Sequence, residues 1–363
     1  MKTNYFILAL LFYFFFPVTV FSSNNYTVVS DSALIYDITY KTADAKGKML
    51  NASGIIMIPQ GKGPFSLISI QHGTIFSRNV APSYFDACPE AQVAYELAAK
   101  SGYIVVMADY VGLGKEGTSP HPYFHSETEA SSTRDMLYAS MEFLKRKNIK
   151  TDGRLFLAGY SQGGHVTASL QRLLETAENP ELKITASAIM AAPFDLYRLW
   201  LNHYNKPVSI SSSVTSLMVK TFHDIYGIGN SYSEFFYAPY DKTVPELLNY
   251  QHTEEEVINT LNALPKDILQ TDFAASVKEG KHTFADRLNE NEVYNWIPKS
   301  PTIIVYSMGD EVVNHAIVKN AFTKMKESGG NVTEITLAKD PDHANGFVPA
   351  IQEALYWFSE FRK

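Results

Sequence analysis

The stretch Arg154-Leu155-Phe156-Leu157-Ala158-Gly159-Tyr160-Ser161-Gln162-Gly163 decides the fold, because it joins a buried strand pattern to a G-x-S-x-G turn. Residues 163–176 continue as a helix pattern whose leucines share one face. A serine on such a turn is held in a strained backbone conformation, and its neighbours must be small because the strand and the helix pack against them. The turn lifts the serine Oγ clear of the sheet at a helix N-terminus, which favours developing negative charge. Ser161 is therefore the candidate nucleophile. The alternative is an idle serine on a glycine-rich turn.

Strand and helix patterns alternate on both sides of this turn. Apolar strand patterns cover residues 32–42, 49–59, 65–71, 103–108, 154–158, 184–191, 302–307 and 332–337. Helix patterns cover residues 91–99, 133–147, 163–176, 315–327 and 348–361. This rhythm predicts an α/β protein with a doubly wound sheet.

The alternation stops over residues 195–295, which predicts a cap inserted between two strands of the sheet. The cap is mainly helical by pattern: Thr253 and Glu256 form a capping box, and Pro265 is expected to stop the helix that they begin. From Phe194 to Trp296 there are 16 aromatic residues, a higher density than in the rest of the mature chain. We therefore expect residues 23–194 and 296–363 to form the catalytic domain.

A nucleophilic serine needs a base and a carboxylate that orients the base. In this strand–turn–helix context the chain order is serine, then carboxylate, then histidine. Asp310 follows the strand pattern at 302–307, and His343 follows the pattern at 332–337, where we expect it in a loop before the final helix. Ser161, Asp310 and His343 are therefore the predicted catalytic residues. Other candidates for base or orienter are His165, Asp195, His315, Asp340 and Asp342.

The negative oxygen of an acyl-transfer intermediate needs at least two aimed hydrogen-bond donors. One is expected to be the backbone N–H of Gln162, directly after the nucleophile. The loop after the strand at 65–71 supplies the second, and Thr74 is the candidate there because it follows His72-Gly73. We interpret His72 as a histidine that stabilises this loop.

Composition narrows the class of protein. The 363 residues are 45% apolar and 19% charged, which excludes a disordered chain. The net charge of −7 argues against a nucleic-acid partner, which would require clustered Lys and Arg. Cys88 is the single cysteine, so an intramolecular disulfide, a Cys-based zinc site and an iron–sulfur cluster are all excluded.

The first 22 residues have the pattern of a cleaved signal peptide. Lys2 is a short positive start, residues 5–21 are an almost unbroken apolar run, and Ser22 is a small residue at the expected cleavage site. The run is 17 residues long, against the roughly 20 that a spanning helix needs. We therefore expect a secreted or periplasmic protein with a signal peptide over residues 1–22. An uncleaved membrane anchor is the alternative.

These motifs together resemble the α/β-hydrolase superfamily; they are Gln71-His72-Gly73-Thr74, Gly159-Tyr160-Ser161-Gln162-Gly163-Gly164, Gly309-Asp310 and His343. Three further segments resemble its secreted lipase/esterase branch: residues 108–114, 121–123 and 133–137. The resemblance implies a mostly parallel core sheet of about eight strands. It also implies a Ser161–Asp310–His343 triad that works with no cofactor and no metal.

The expected function is a secreted serine hydrolase that cleaves carboxylic esters, as a lipase or esterase, through an acyl-enzyme on Ser161. A serine peptidase, an acyltransferase and a non-catalytic binding protein of the same fold are the alternatives. The expected partner is a small-molecule or lipid ester, with transient contact to a lipid interface and no nucleic acid. The aromatic cap is compatible with acyl chains, with aromatic esters or with ordinary packing.

Overall fold

The computed structural model describes residues 26–30, 33–177 and 181–363. The predicted signal peptide over residues 1–22 lies outside the described residues. Across the part of the chain that is described, no helix combines the length and apolar character that a membrane crossing requires.

One sheet of nine strands organises the described residues, in the order β1-β2-β3-β5-β4-β6-β7-β8-β9. The strands are β1 (Tyr26–Ser30), β2 (Ala33–Ala43), β3 (Met49–Pro59), β4 (Phe65–Gln71), β5 (Tyr103–Ala108), β6 (Thr151–Tyr160), β7 (Ile184–Met190), β8 (Thr302–Tyr306) and β9 (Val332–Thr336). The pairings that involve β1, β2 and β3 are antiparallel, and those from β5 to β9 are parallel. The predicted α/β class with a mostly parallel sheet is therefore confirmed. The edge strand β1 adds one strand to the eight predicted patterns.

Helices cover both faces of this sheet. They are α1 (Pro89–Ala94), which continues as a π-helical turn over Tyr95–Ala99, then α2 (Ser126–Arg146), α3 (Gln162–Thr176), α11 (His315–Glu327) and α12 (His343–Ser359). Successive residues of the central strand β6 point to opposite faces: Leu155 and Leu157 pack into the core beneath α2 and α3, whereas Phe156 packs into the core beneath α1 and α12. This burial on both faces explains why the strand reads as an unbroken apolar run.

The chain between β7 and β8 is helical. It holds α4 (Leu196–Asn205), α5 (Ser211–Tyr226), α6 (Tyr240–Leu247), α7 (Glu254–Thr260), α8 (Pro265–Ile268), α9 (Thr271–Lys278) and α10 (Thr283–Glu290), with a short 3-10 helix at Tyr232–Glu234. Trp200, Phe222 and Phe284 from these helices belong to the same buried cluster as Leu157 of the sheet. The division into a catalytic domain (23–194 and 296–363) and a cap (195–295) stays a prediction.

Three details of the helices differ from the sequence predictions. The capping box of α7 is present, with Glu256 N–H donating to Thr253 Oγ1 across 3.2 Å, but α7 ends at Thr260. Pro265 does not stop that helix; it begins α8, where its missing N–H would have no helical acceptor. Helices α2 and α12 both begin earlier than predicted, at Ser126 and His343.

Candidate active site

Ser161 occupies the sharp turn between β6 and α3, with φ 58° and ψ −123°. Glycines on either side allow the close packing that this turn requires. A Cβ on Gly163 would lie 2.0 Å from the backbone oxygen of Gln71, and a Cβ on Gly159 would lie 2.1 Å from the backbone oxygen of Gly163. Because no larger residue fits at these two positions, the G-x-S-x-G pattern follows directly from the packing of strand and helix.

The structure brings Ser161, His343 and Asp310 together from three separate segments. The Ser161 Oγ lies 2.9 Å from His343 Nε2, and His343 Nδ1 lies 2.8 Å from Asp310 Oδ2. The Asp310 side chain is 1% exposed, and its other oxygen accepts the N–H groups of Val312 and Val313 across 3.0 and 2.8 Å. These bonds fix the carboxylate so that one oxygen faces the imidazole ring.

The prediction that His343 lies in a loop is wrong, because His343 is the first residue of α12. Asp342 caps this helix by accepting the N–H of Asn345 across 2.8 Å. Two further bonds hold the His343 backbone: its N–H donates to Glu311 Oε2 across 3.0 Å, and its carbonyl accepts the hydroxyl of Tyr160 across 2.7 Å. The helix therefore begins early and carries the ring on a rigid support.

The other candidates for base or orienter have different surroundings. Asp195 caps α4 through the N–H of Arg198 at 2.9 Å, and Asp342 caps α12. His315 begins α11, next to its capping residue Asn314. The side chain of Asp340 is exposed. None of these residues has a hydrogen bond to Ser161 or His343 side-chain atoms among the described residues.

The two predicted oxyanion donors, Gln162 and Thr74, lie on two separate segments of the chain. Gln162 is the first residue of α3, and Thr74 follows β4 and lines the cavity that contains Ser161. Within residues 26–30, 33–177 and 181–363, neither backbone N–H donates to an acceptor of the protein. The neighbouring Gly73 N–H, in contrast, is occupied by both carboxyl oxygens of Glu90 at 3.0 Å. Gln162 and Thr74 thus offer free N–H groups to a ligand.

The side chain of Gln162 belongs to a buried polar network that the sequence patterns do not predict. The side-chain amide of Gln162 donates to Glu129 Oε1 across 3.0 Å and to His121 Nε2 across 3.0 Å. His121 Nδ1 in turn faces the carbonyl of Val111 at 2.9 Å. Burial lowers the pKa of His121 to about 4, so the ring is neutral and can accept the Gln162 amide at Nε2.

Glu129 and His165 form the centre of this network, and both side chains are fully buried. His165 Nδ1 lies 2.7 Å from Glu129 Oε2, and His165 Nε2 lies 2.9 Å from the backbone oxygen of Asn291. Both ring nitrogens lie within hydrogen-bond distance of an oxygen, which fixes the orientation of the ring. Burial alone would raise the pKa of the Glu129 carboxyl, but His165 and Gln162 together hold that pKa below its ordinary value.

Ser161 and His343 open onto a cavity of about 620 Å³. Its walls are mostly apolar and come from the loop after β4, from α4 and α5, and from the segment after β8. Polar residues also line the cavity, among them His203, Glu90, Glu254 and Cys88. Burial raises the pKa of the Glu90 carboxyl to about 7 and that of the Cys88 thiol to about 12. The thiol is therefore protonated and unreactive at neutral pH.

The described residues contain no group of three or more His, Cys, Asp or Glu side chains arranged to hold a metal ion.

Comparisons with known proteins agree with this architecture. A profile of the secretory lipase family matches residues 92–361. A Legionella pneumophila protein provisionally described as a hydrolase has a TM-score of 0.86 and is 28% identical, over 91% of this chain and 89% of its own. No curated protein matches the chain significantly.

Two further solved structures share the fold. A variant of the rice cell wall degrading esterase LipA from Xanthomonas oryzae has a TM-score of 0.83 at 23% identity, over 93% of this chain and 96% of its own. The closed state of Candida antarctica lipase A has a TM-score of 0.74 at 16% identity, over 94% of this chain and 81% of its own. The predicted resemblance to lipases and esterases of the α/β-hydrolase fold is confirmed. The protein is a hydrolase of the lipase/esterase kind, and the chain belongs to the secretory lipase family.

Proposed function

We propose that this protein is a secreted carboxylic ester hydrolase that works through an acyl-enzyme on Ser161. One observation carries the proposal: the hydrogen-bond sequence from Ser161 Oγ through both nitrogens of His343 to the buried Asp310. This arrangement is the one that activates a serine hydroxyl, which at its ordinary pKa is a weak nucleophile.

In the first half of the reaction, the Ser161 Oγ attacks the ester carbonyl carbon while His343 Nε2 takes the hydroxyl proton. Asp310 accepts the hydrogen bond from Nδ1, which keeps the ring in the correct tautomer and stabilises its positive charge. The N–H groups of Gln162 and Thr74 hold the negative oxygen of the tetrahedral intermediate. His343 then gives its proton to the alkoxide that departs, which leaves the acyl group on Ser161.

In the second half, water replaces the alcohol. His343 takes a proton from the water as it attacks the acyl carbonyl, and returns that proton to Ser161 Oγ when the carboxylic acid departs. The same N–H groups hold the second tetrahedral intermediate. An acyltransferase would differ only here, by admitting an alcohol instead of water. Product analysis with an added alcohol separates the two.

The apolar walls of the cavity support a small-molecule or lipid ester as substrate. A lipid ester would bring the protein into transient contact with a lipid interface. The family match and the apolar run in residues 1–22 support secretion or periplasmic export. The mechanism requires neither a metal nor a cofactor.

The experiment is hydrolysis of p-nitrophenyl butanoate by the wild type, by Ser161→Ala and by Ser359→Ala. Ser359 ends α12, and its hydroxyl bonds only to the Tyr356 carbonyl among the described residues, so it serves as the matched control. We expect Ser161→Ala to lower kcat by roughly 10³-fold or more. The Ser359 variant should match the wild type. Retained turnover in a folded Ser161→Ala protein would contradict the proposal.

A further inference from the structure

His203, on α4, is one of the residues that line the cavity containing Ser161 and His343. The residue is only 2% exposed. Its Nδ1 lies 2.8 Å from the hydroxyl oxygen of Ser211, at the start of α5. Its Nε2 is buried and has no hydrogen-bond partner among the described residues. The Val312 backbone is close enough to favour the protonated ring through an interaction of hydrogen-bond type, but its geometry falls short of a hydrogen bond to Nε2.

The partners of Ser211 determine which nitrogen of His203 carries the proton. The Ser211 Oγ accepts the N–H of Val208 across 2.8 Å, so its hydroxyl hydrogen remains available for His203 Nδ1. In this arrangement the Ser211 hydroxyl donates to the unprotonated Nδ1 of His203. The ring proton is therefore on Nε2.

The charge state of the ring agrees with this assignment. Burial lowers the pKa of His203 to about 4, and the nearby His343 lowers it further, whereas Asp310 and the Val312 backbone oppose the shift. The ring is therefore neutral near pH 7, with a single N–H group at Nε2. Such a group can donate one hydrogen bond and can neither accept one at that atom nor attract an anion by charge.

The parts of the cavity wall formed by α4, α5 and the segment after β8 offer a ligand no other polar side chain, so this N–H can distinguish between substrates. The other residues that α4, α5 and the segment after β8 contribute to the cavity are Leu199, Val214, Val312 and Val313, all apolar. A substrate group that offers only methylene units would leave the buried donor unpaired, which costs free energy. A group with an oxygen at that place would satisfy it.

We propose that His203 is a substrate-recognition residue whose Nε2–H donates a hydrogen bond to an oxygen acceptor of the ester. The preferred substrates are therefore oxygenated esters, with an ether, hydroxyl or carbonyl oxygen in addition to the ester group itself, and not plain hydrocarbon esters. This inference rests on the proposed function, since it names the substrate class of the same site.

The test uses two pairs of nearly isosteric esters that differ by one oxygen. On the acyl side the pair is p-nitrophenyl methoxyacetate and p-nitrophenyl butanoate. On the alcohol side it is methoxyethyl acetate and butyl acetate, followed by acid release. The ratio of kcat/KM for the ether over the hydrocarbon ester is measured in the wild type and in variants, so that the intrinsic reactivity of each ester cancels.

In His203→Phe the ratio should fall roughly tenfold for at least one pair, because the ring volume is kept and the donor is lost. His203→Gln, which retains an N–H donor, should keep most of the preference. His252→Phe is the control, since His252 is a partly exposed histidine beside Glu256 that does not line the cavity. His203→Leu replaces the Phe variant if the latter does not fold.

An unchanged ratio for both pairs in a folded, active His203→Phe or His203→Leu protein would overturn the inference and leave the proposed function intact. A wild-type protein that hydrolyses none of the four esters would overturn the proposed function itself, and the inference with it.

Discussion

The side-chain amide of Gln162 donates to Glu129 Oε1 across 3.0 Å, although the two residues lie 33 positions apart. Gln162 directly follows Ser161, the proposed nucleophile, and its backbone N–H is a proposed oxyanion donor. The buried Glu129 carboxylate on α2 therefore fixes the side chain of the first residue of α3. Through His165 the same carboxylate is connected to the backbone of Asn291, after α10. Hydrogen bonds thus connect the helical segment between β7 and β8 to the turn that carries Ser161.

Replacing this carboxylate should affect both stability and turnover. In Glu129→Gln the buried His165 loses its charged partner, so we expect the free energy of unfolding to fall by about 3 kcal/mol. The Gln162 side chain would also be held less firmly, and its backbone N–H is a proposed oxyanion donor. We therefore expect kcat to fall by roughly tenfold, with a smaller change in KM.

Thermal unfolding and steady-state kinetics check these two expectations. Glu127→Gln, on the exposed side of α2, is the matched control and should resemble the wild type. If Glu129→Gln has the melting temperature and the kcat of the wild type, the network has no role in positioning the turn that carries Ser161.

Asp310→Asn should lower kcat by roughly 10³- to 10⁴-fold while the fold is retained. An amide at this position can turn its NH₂ group toward His343 Nδ1, which would stabilise the wrong tautomer of the ring. Asp340→Asn alters an exposed carboxylate in the loop before α12 and should leave kcat near the wild-type value. A larger loss from Asp340→Asn than from Asp310→Asn would reassign the orienting carboxylate.

Gly163→Ala should destabilise the fold by roughly 2 kcal/mol or more, because the new methyl group meets backbone atoms that cannot turn away. Its Cβ would lie 2.0 Å from the Gln71 oxygen and 2.8 Å from the His72 oxygen. Gly153→Ala is the comparison. Its Cβ would meet nothing within 4 Å, so it should cost only about 1 kcal/mol for the left-handed backbone, at φ 80°. Chemical denaturation of both variants measures the difference, and equal losses would contradict the packing argument.

Glu90→Gln should raise the melting temperature by an amount that grows as the pH rises. Burial raises the pKa of Glu90 from its ordinary value of 4.5 to about 7, so over that interval the folded chain retains a proton that the unfolded chain releases. The contribution of Glu90 to stability therefore falls as the pH rises from 4.5 to about 7 and stays low above it. A glutamine has no such proton to lose and can still accept the Gly73 N–H.

Melting curves between about pH 5 and about pH 8 give the difference between variant and wild type. Glu96→Gln, in the π-helical turn that continues α1, removes an exposed carboxylate by the same substitution and serves as the control. A difference that is constant over this range, or that shrinks with pH, would show that the Glu90 carboxyl is not desolvated.

Local patterns in the sequence predict eight of the nine strands and single out Ser161, Asp310 and His343, whose side chains the structure places within hydrogen-bond distance. The strands at 49–59, 65–71 and 103–108 match β3, β4 and β5, because continuous apolar runs mark strands that are buried on both faces. Helix α2 begins earlier than predicted because its first turns are buried through small and polar side chains such as Ser126, Thr128 and Ser132, which leave no apolar period. The early start of α12 depends on the cap at Asp342 and was likewise missed.

The polar groups around the site could not be predicted from local patterns. Glu129, His203 and Glu90 come from helices far apart in the chain, and each acquires its role only from what folding places beside it. A histidine on an amphipathic helix looks the same whether its nitrogen faces water or a catalytic cavity. The segment 121–123 is recognisable in the sequence, but the hydrogen bond from Gln162 to His121 depends on the tertiary structure.

Covalent labelling is the most direct test of whether Ser161 is the nucleophile. The protein is incubated with a fluorophosphonate, which reacts with an activated serine hydroxyl, and the modified residue is located by peptide mass spectrometry. We expect one phosphonyl group on Ser161, complete loss of ester hydrolysis in step with labelling, and no labelling of Ser161→Ala. Labelling at another residue, or an unlabelled Ser161 in a protein that hydrolyses esters, would contradict this expectation.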